Sequence, residues 1–201
     1  MIPPCPVRWD DIVVAIFERQ RHLIDKYKQI EQRPLPDPPI SLHTPHGQSI
    51  MRDFAWRTVE ELAESHEAFI KFQETEIAKE RGLEELADAT HFFVELLIFA
   101  GVGSSACLAI TPTFRPHMHT SITGAYWDLT YKLGLAMNFL KNKAWKRSQV
   151  PTDEARFRTA LVMAWVALMR CWAVLGCEQS DLHKYYFKKS AVIDQRLVEG
   201  Y

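Results

Sequence analysis

Several large protein classes are excluded by what this chain lacks. It has no glycine-rich phosphate loop and no nucleophile elbow, so neither a P-loop nucleotidase nor an α/β-hydrolase is written here. No stretch alternates apolar and polar residues for a useful length, which removes sheet architectures. The four cysteines, Cys5, Cys107, Cys171 and Cys177, are scattered with no C-x-x-C. That excludes a zinc ribbon or a disulfide framework and suits thiols packed as small hydrophobes in a reducing cytoplasm. The formal net charge of −1 leaves no broad basic surface, so no nucleic-acid partner is expected. The N-terminal MIPPCPVRWDD has no apolar core of a signal peptide. Leu96–Phe114 is uncharged but is interrupted by Gly101, Gly103 and Pro112, and Thr159–Met169 is shorter than a span. No membrane partner is expected, and the location expected is cytoplasmic.

What is present is helix. With 47% hydrophobic and 24% charged residues in 201, the chain is ordinary globular protein, long enough for one core. A first helix is expected from Asp10 or Asp11 to about Glu31, with Ile12, Val13, Ile16, Leu23, Ile24 and Tyr27 on its apolar side. Arg33–Ser49 carries five prolines and reads as a connecting strap, with His43 and His46 as surface histidines. A second helix is expected near Ser49 and a third near Gly82 or Leu83, with a turn around Arg81-Gly82 and a stop at Gly101 and Gly103. Ser104–Thr120 reads as a loop; its His117-Met-His119 has no third ligand in sight. A helix over Ser121–Asn142 packs through Tyr126, Leu129, Leu133, Leu135 and Met137. It runs into Lys141–Arg147, which either complements the helix dipole or faces phosphate. Thr152 is the expected N-cap of an apolar helix to Leu175, and a last helix covers Ser180–Val198. The fold class is all-α: one domain over 1–201, with metal-site helices at about 50–100, accessory helices at about 121–176 and a C-terminal helix at about 180–201.

The stretch from Trp56 to Ala100 organises this bundle. It contains two acidic pairs, Glu61-x-x-Glu64 and Glu85-x-x-Asp88, each in an apolar, helix-forming background. Residues three apart share a helix face, so each pair aims two carboxylates one way. Either the pairs are solvated faces, or two antiparallel helices bring four carboxylates together. Such uncompensated charge is costly without a cation, and an all-oxygen donor set favours a hard ion.

The order Glu61-x-x-Glu64, twenty residues, Glu85-x-x-Asp88 resembles the E-x-x-E…E-x-x-D signature of the all-α nucleoside triphosphate pyrophosphatases, the MazG-like superfamily. Asp88-Ala-Thr-His91-Phe92 is similar to the D-I-x-H-F of its dimeric dUTPase and phage dCTPase–dUTPase branch. The C-terminal Tyr186, Lys189, Arg196 and Gly200-Tyr201 resemble that branch's Y-x-x-K-N-x-x-N-x-x-R-Q-x-x-G-Y. The resemblance implies a helical bundle; the apolar stripe with Trp165 and Trp172 reads as core or dimer seam, and a homodimer is expected from it. The resemblance also implies Mg²⁺, with Mn²⁺ as a substitute, on Glu61, Glu64, Glu85 and Asp88. Glu61 or Glu64 would serve the attacking water, and Lys189, Arg196 and Tyr201 would meet the triphosphate.

The chain also departs from that pattern. Ser190, Ile193 and Leu197 stand where the branch has Asn, Asn and Gln. Ser65-His66-Glu67 replaces the usual W-K-x-W-K, and Lys143 and Lys146 could supply similar groups from a later position. The expected activity is Mg²⁺-dependent hydrolysis of a deoxynucleoside triphosphate, dUTPase-like, to monophosphate and pyrophosphate, in a bacterial host cell if the chain is phage-encoded. The alternatives are the same chemistry on dCTP, dTTP or a purine, or an inactive helical interaction protein.

Overall fold

The computed structural model describes residues 2–28, 35–71, 75–110, 121–141 and 150–199, with Lys71 and Glu76 described by backbone alone. Among them are seven helices and no strand: α1 (Trp9–Tyr27), α2 (Pro45–Lys71), α3 (Glu76–Phe99), α4 (Ser104–Leu108), α5 (Ile122–Phe139), α6 (Glu154–Val174) and α7 (Gln179–Glu199). The all-α expectation holds. Helices α2 and α3 pack along each other as an antiparallel pair, as do α5 and α6. Helix α7 closes the bundle by lying against both α1 and α3.

The α1 stripe behaves as its spacing dictates, with Ile12, Val13, Ile16, Leu23 and Ile24 all buried. Helix boundaries depart from expectation where a local signal was outweighed. α2 begins at Pro45, a turn before Ser49. Thr44 Oγ1 accepts from Gly47 N at 3.0 Å, and proline at the first helical position gives up only a donor that had no partner anyway. α3 begins at Glu76, where Thr75 caps it by accepting from Ala78 N. Gly82 is therefore no turn but an interior helical residue. A Cβ there would lie 2.5 Å from the Phe69 ring, so glycine is what lets α2 and α3 approach. Ser65 Oγ donates to Gly82 O at 2.6 Å across the same contact.

Gly101, at φ +75°, ends α3 as expected. Within the expected loop after it, Ser104–Leu108 is a short helix; His117 and His119 lie outside the described residues. The cap of α6 is Asp153, which accepts from Arg156 N; Thr152 is buried and accepts from Gln48 Nε2 at 2.9 Å. Leu135, expected to pack, is 43% exposed, because it lies on the outer side of α5. His43 is exposed as expected but does have a carboxylate partner, Glu154 at 2.8 Å.

Helix α6 is the one described helix long and apolar enough to cross a membrane, and 67% of its apolar window is buried inside the bundle. Trp165 and Trp172 are fully buried in the chain's own core. Trp165 packs edge-on to Phe17 and stacks with Phe93, and Trp172 Nε1 donates to Thr90 Oγ1 at 3.1 Å. Each such ring buries on the order of 200 Å², roughly 5 kcal/mol at 25 cal/mol/Å². Both tryptophans are already used within one chain and are not available to a dimer seam.

Candidate active site

Antiparallel packing of α2 and α3 sets the first acidic pair against the second. Carboxylate oxygens of Glu61, Glu64 and Glu85 lie within 4.8 Å of one another. Asp88 is not one of these three but lies close enough for its charge to act on Glu61, and Lys189 of α7 pairs with it, Nζ to Oδ2 at 2.5 Å. The sequence therefore places three of the four carboxylates together, and the fourth carries an ammonium.

The arrangement is electrostatically strained. Burial, then the charges of Asp88, Glu64 and Glu85, raise the Glu61 carboxyl to about 7. Burial raises Asp88 to about 6, although its hydrogen bond from Lys189 pulls the other way. Burial disfavours the charged form of both groups, and at Glu61 the neighbouring carboxylates add to it. An all-oxygen cluster with that excess of negative charge fits a hard divalent cation, and it excludes a soft-metal site, since no cysteine or histidine belongs to the group.

Glu61 and Asp88 also line one end of a cleft of about 210 Å³ shared with Lys189 and Arg196. Lys143, Lys146 and Tyr201 lie outside the described residues. Ser65, which stands where the resembled branch has W-K-x-W-K, is buried and bonded to Gly82 O and the Tyr126 hydroxyl.

The far end of the cleft contains residues that the sequence reading passed over: Gln20, Arg57 and Glu95. Their signal was available. Glu95 lies on the same α3 face as Asp88 and His91, and Gln20 interrupts the apolar stripe of α1 between Ile16 and Ile24. Together with His91 and Tyr186 they form a buried network. Gln20 Oε1 accepts from the Tyr186 hydroxyl at 2.6 Å and lies 2.8 Å from His91 Nδ1. Gln20 Nε2 donates to Glu95 Oε2 at 3.3 Å. His91 Nε2 faces the Tyr186 carbonyl oxygen at 3.1 Å, which only accepts, and the Ser190 hydroxyl at 3.3 Å. Burial pushes the imidazole down to about 3, so it is neutral. Its ring stacks on Tyr186, centroids 3.8 Å apart, which ties α3 to α7. The resemblance to D-I-x-H-F thus falls on a histidine that is both structural and cleft-lining.

Comparison with known proteins adds one finding. Residues 55–201 match a family described as dUTPase. No curated protein and no solved structure matched. The matched stretch runs well past half of the chain and contains both carboxylate pairs, Lys189 and Arg196. With its all-α architecture and the α2–α3 carboxylates on the page, the chain belongs to this dUTPase family.

Proposed function

We propose that the protein hydrolyses a deoxynucleoside triphosphate between the α and β phosphates, releasing monophosphate and pyrophosphate in a Mg²⁺-dependent reaction. The observation that carries this is the double membership of Glu61. It belongs both to the carboxylate cluster and to the cleft that contains Lys189 and Arg196. A metal held by Glu61, Glu64, Glu85 and Asp88 would supply Lewis-acid polarisation and charge neutralisation at the triphosphate.

The chain's own groups account for the rest. Lys189 and Arg196 attract and orient the anionic substrate, and a triphosphate competes with Asp88 for the Lys189 ammonium. The Glu61 carboxylate takes the proton of the attacking water. Water oxygen then bonds to the α phosphorus as the bridging oxygen leaves with pyrophosphate. The same reading includes a homodimer. Its seam would use exposed Trp127, Tyr131 and Leu135, one face of α5, in place of the buried tryptophans.

Turnover of the canonical deoxynucleotides with Mg²⁺ and Mn²⁺, products resolved by chromatography, tests the chemistry. Monophosphate plus pyrophosphate is expected from at least one substrate. Orthophosphate as the product, or no turnover by folded protein, would overturn the reading. Sedimentation at micromolar concentration is expected to give a dimer; a stable monomer would remove that part.

A further inference from the structure

Helix α7 is seated unevenly along its length. Leu182, Tyr185, Tyr186, Phe187 and Ser190 are buried, and the His91–Tyr186 stack lies in this part. From Ala191 to Glu199 every side chain is at least partly exposed. A helix end with no buried face is held by little beyond its own backbone bonds, and such ends fray. Yet this is the stretch that contributes Ile193 and Arg196 to the cleft. A phosphate-binding guanidinium on a fraying end is in place for only part of the time, and apparent affinity falls with that fraction.

Asp194 supplies what packing does not. Its carboxylate accepts from Arg19 Nη2 at 2.5 Å and from Lys26 Nζ at 2.7 Å. Both cations stand on α1, about two turns apart on one face. The same Arg19 Nη2 donates to the Ser190 carbonyl oxygen at 3.1 Å, so Arg19 spans the last buried residue of α7 and the exposed turn after it. Ser190 and Asp194 share one face of α7, while Lys189, Ile193 and Arg196 recur on the adjacent one. The helix thus turns one face to α1 and the next to the cleft, and Arg19, Lys26 and Asp194 are not among the cleft's lining residues. Helix α1 also lies before residue 55, outside the stretch matched to the family.

We infer that Asp194 is a positioning residue for triphosphate binding: tied to Arg19 and Lys26 of α1, it holds the end of α7 so that Arg196 stays at the cleft. This rests on the reading of the cleft as a deoxynucleotide site. Lys189 adjoins buried Ser190 and pairs with Asp88, so it keeps its place without Asp194. The effect of Asp194 on substrate therefore runs through Arg196.

Binding and hydrogen exchange test this. Calorimetric titration with the non-hydrolysable α,β-imido analogues of dATP, dCTP, dGTP, dTTP and dUTP, Mg²⁺ present, identifies the one that the unmodified protein binds most tightly. The isosteric Asp194→Asn removes the charge without the gain in helix propensity that alanine brings. It is expected to weaken that analogue about 3- to 10-fold, a modest loss because the Asp194 side chain is 32% exposed. Arg196→Ala, which removes the charged contact itself, is expected to weaken it about 10- to 100-fold. In the Arg196→Ala background, Asp194→Asn should cost less than about twofold more, since nothing is left to position. Losses that multiply overturn the inference, as does unchanged affinity in folded Asp194→Asn. Amides of residues 191–199 should lose protection by about the same 3- to 10-fold in Asp194→Asn while those of 182–190 keep theirs; unaltered protection of 191–199 also overturns it. Each of these failures leaves the pyrophosphatase reading intact, whereas binding of no analogue by the unmodified protein overturns both.

Discussion

The two ends of the cleft are built on opposite principles. At the acidic end Glu61, Glu64 and Glu85 crowd together, and protons cling to Glu61. At the other end Gln20, His91 and Tyr186 are buried in close polar contact with one another. The same helix, α3, contributes to both. Like charges held in place by helix packing store free energy that a cation releases. A buried network that ties α1, α3 and α7 together gives rigidity instead. One end is made to be completed by something that binds, and the other to stay as it is.

The comparison breaks most sharply at Glu61. Glu61→Gln is expected to lower kcat by about 10²- to 10⁴-fold, the range for losing a general base, while the thermal midpoint of the metal-free protein stays level or rises. A variant that loses stability and keeps activity would reverse the assignment of the acidic end. Gln20→Leu should do the opposite at the far end. It removes the 2.6 Å partner of the Tyr186 hydroxyl and the 2.8 Å neighbour of His91 Nδ1, and denaturant unfolding should show a loss of about 1–3 kcal/mol.

A third test uses pH. Folded Glu61 keeps its proton up to about 7 and folded Asp88 up to about 6, whereas the unfolded carboxyls release theirs near 4. The folded state binds more protons in between, so the metal-free protein is expected to lose stability as pH rises from about 4 to about 7. Millimolar Mg²⁺ should remove most of that loss, because metal binding favours the deprotonated groups. Thermal midpoints across this range, with and without Mg²⁺, check it; a metal-free midpoint that rises with pH contradicts the strained cluster. The smallest effect is expected outside the cleft. Lys188 bridges Glu80 and Glu84 at 2.8 and 2.7 Å but is half exposed, so Lys188→Met should cost no more than about 1 kcal/mol. A larger loss would mean that surface charge, and not the His91–Tyr186 stack, seats α7.

Much of this was legible in the sequence, and the exceptions share a cause. The carboxylate pairs were readable because spacing alone decides which helix face they share. The start of α2 was missed because five prolines in one stretch outweighed the Thr44-Pro45 cap signal. The start of α3 was missed because Gly82 reads as a turn when its real constraint, the Phe69 ring, comes from another helix. Trp165 and Trp172 read equally well as seam or core, since periodicity gives a face but not what covers it. Gln20 and Glu95 were passed over because a polar residue in an apolar stripe acquires meaning only when the facing helix is known.

The contact of Ser65 and Phe69 with Gly82 has a further consequence, best put as one of tolerance to length. It lies between the helix tips and the carboxylates, so the register of Glu61 and Glu64 against Asp88 and Glu85 is fixed inside the hairpin and not by its connection. Residues added or removed between Lys71 and Thr75 would leave the four acids aligned. A single insertion between Gly82 and Glu85 would rotate one pair by about 100° and dismantle the site. Drift in chain length is thus harmless on one side of that contact and ruinous on the other.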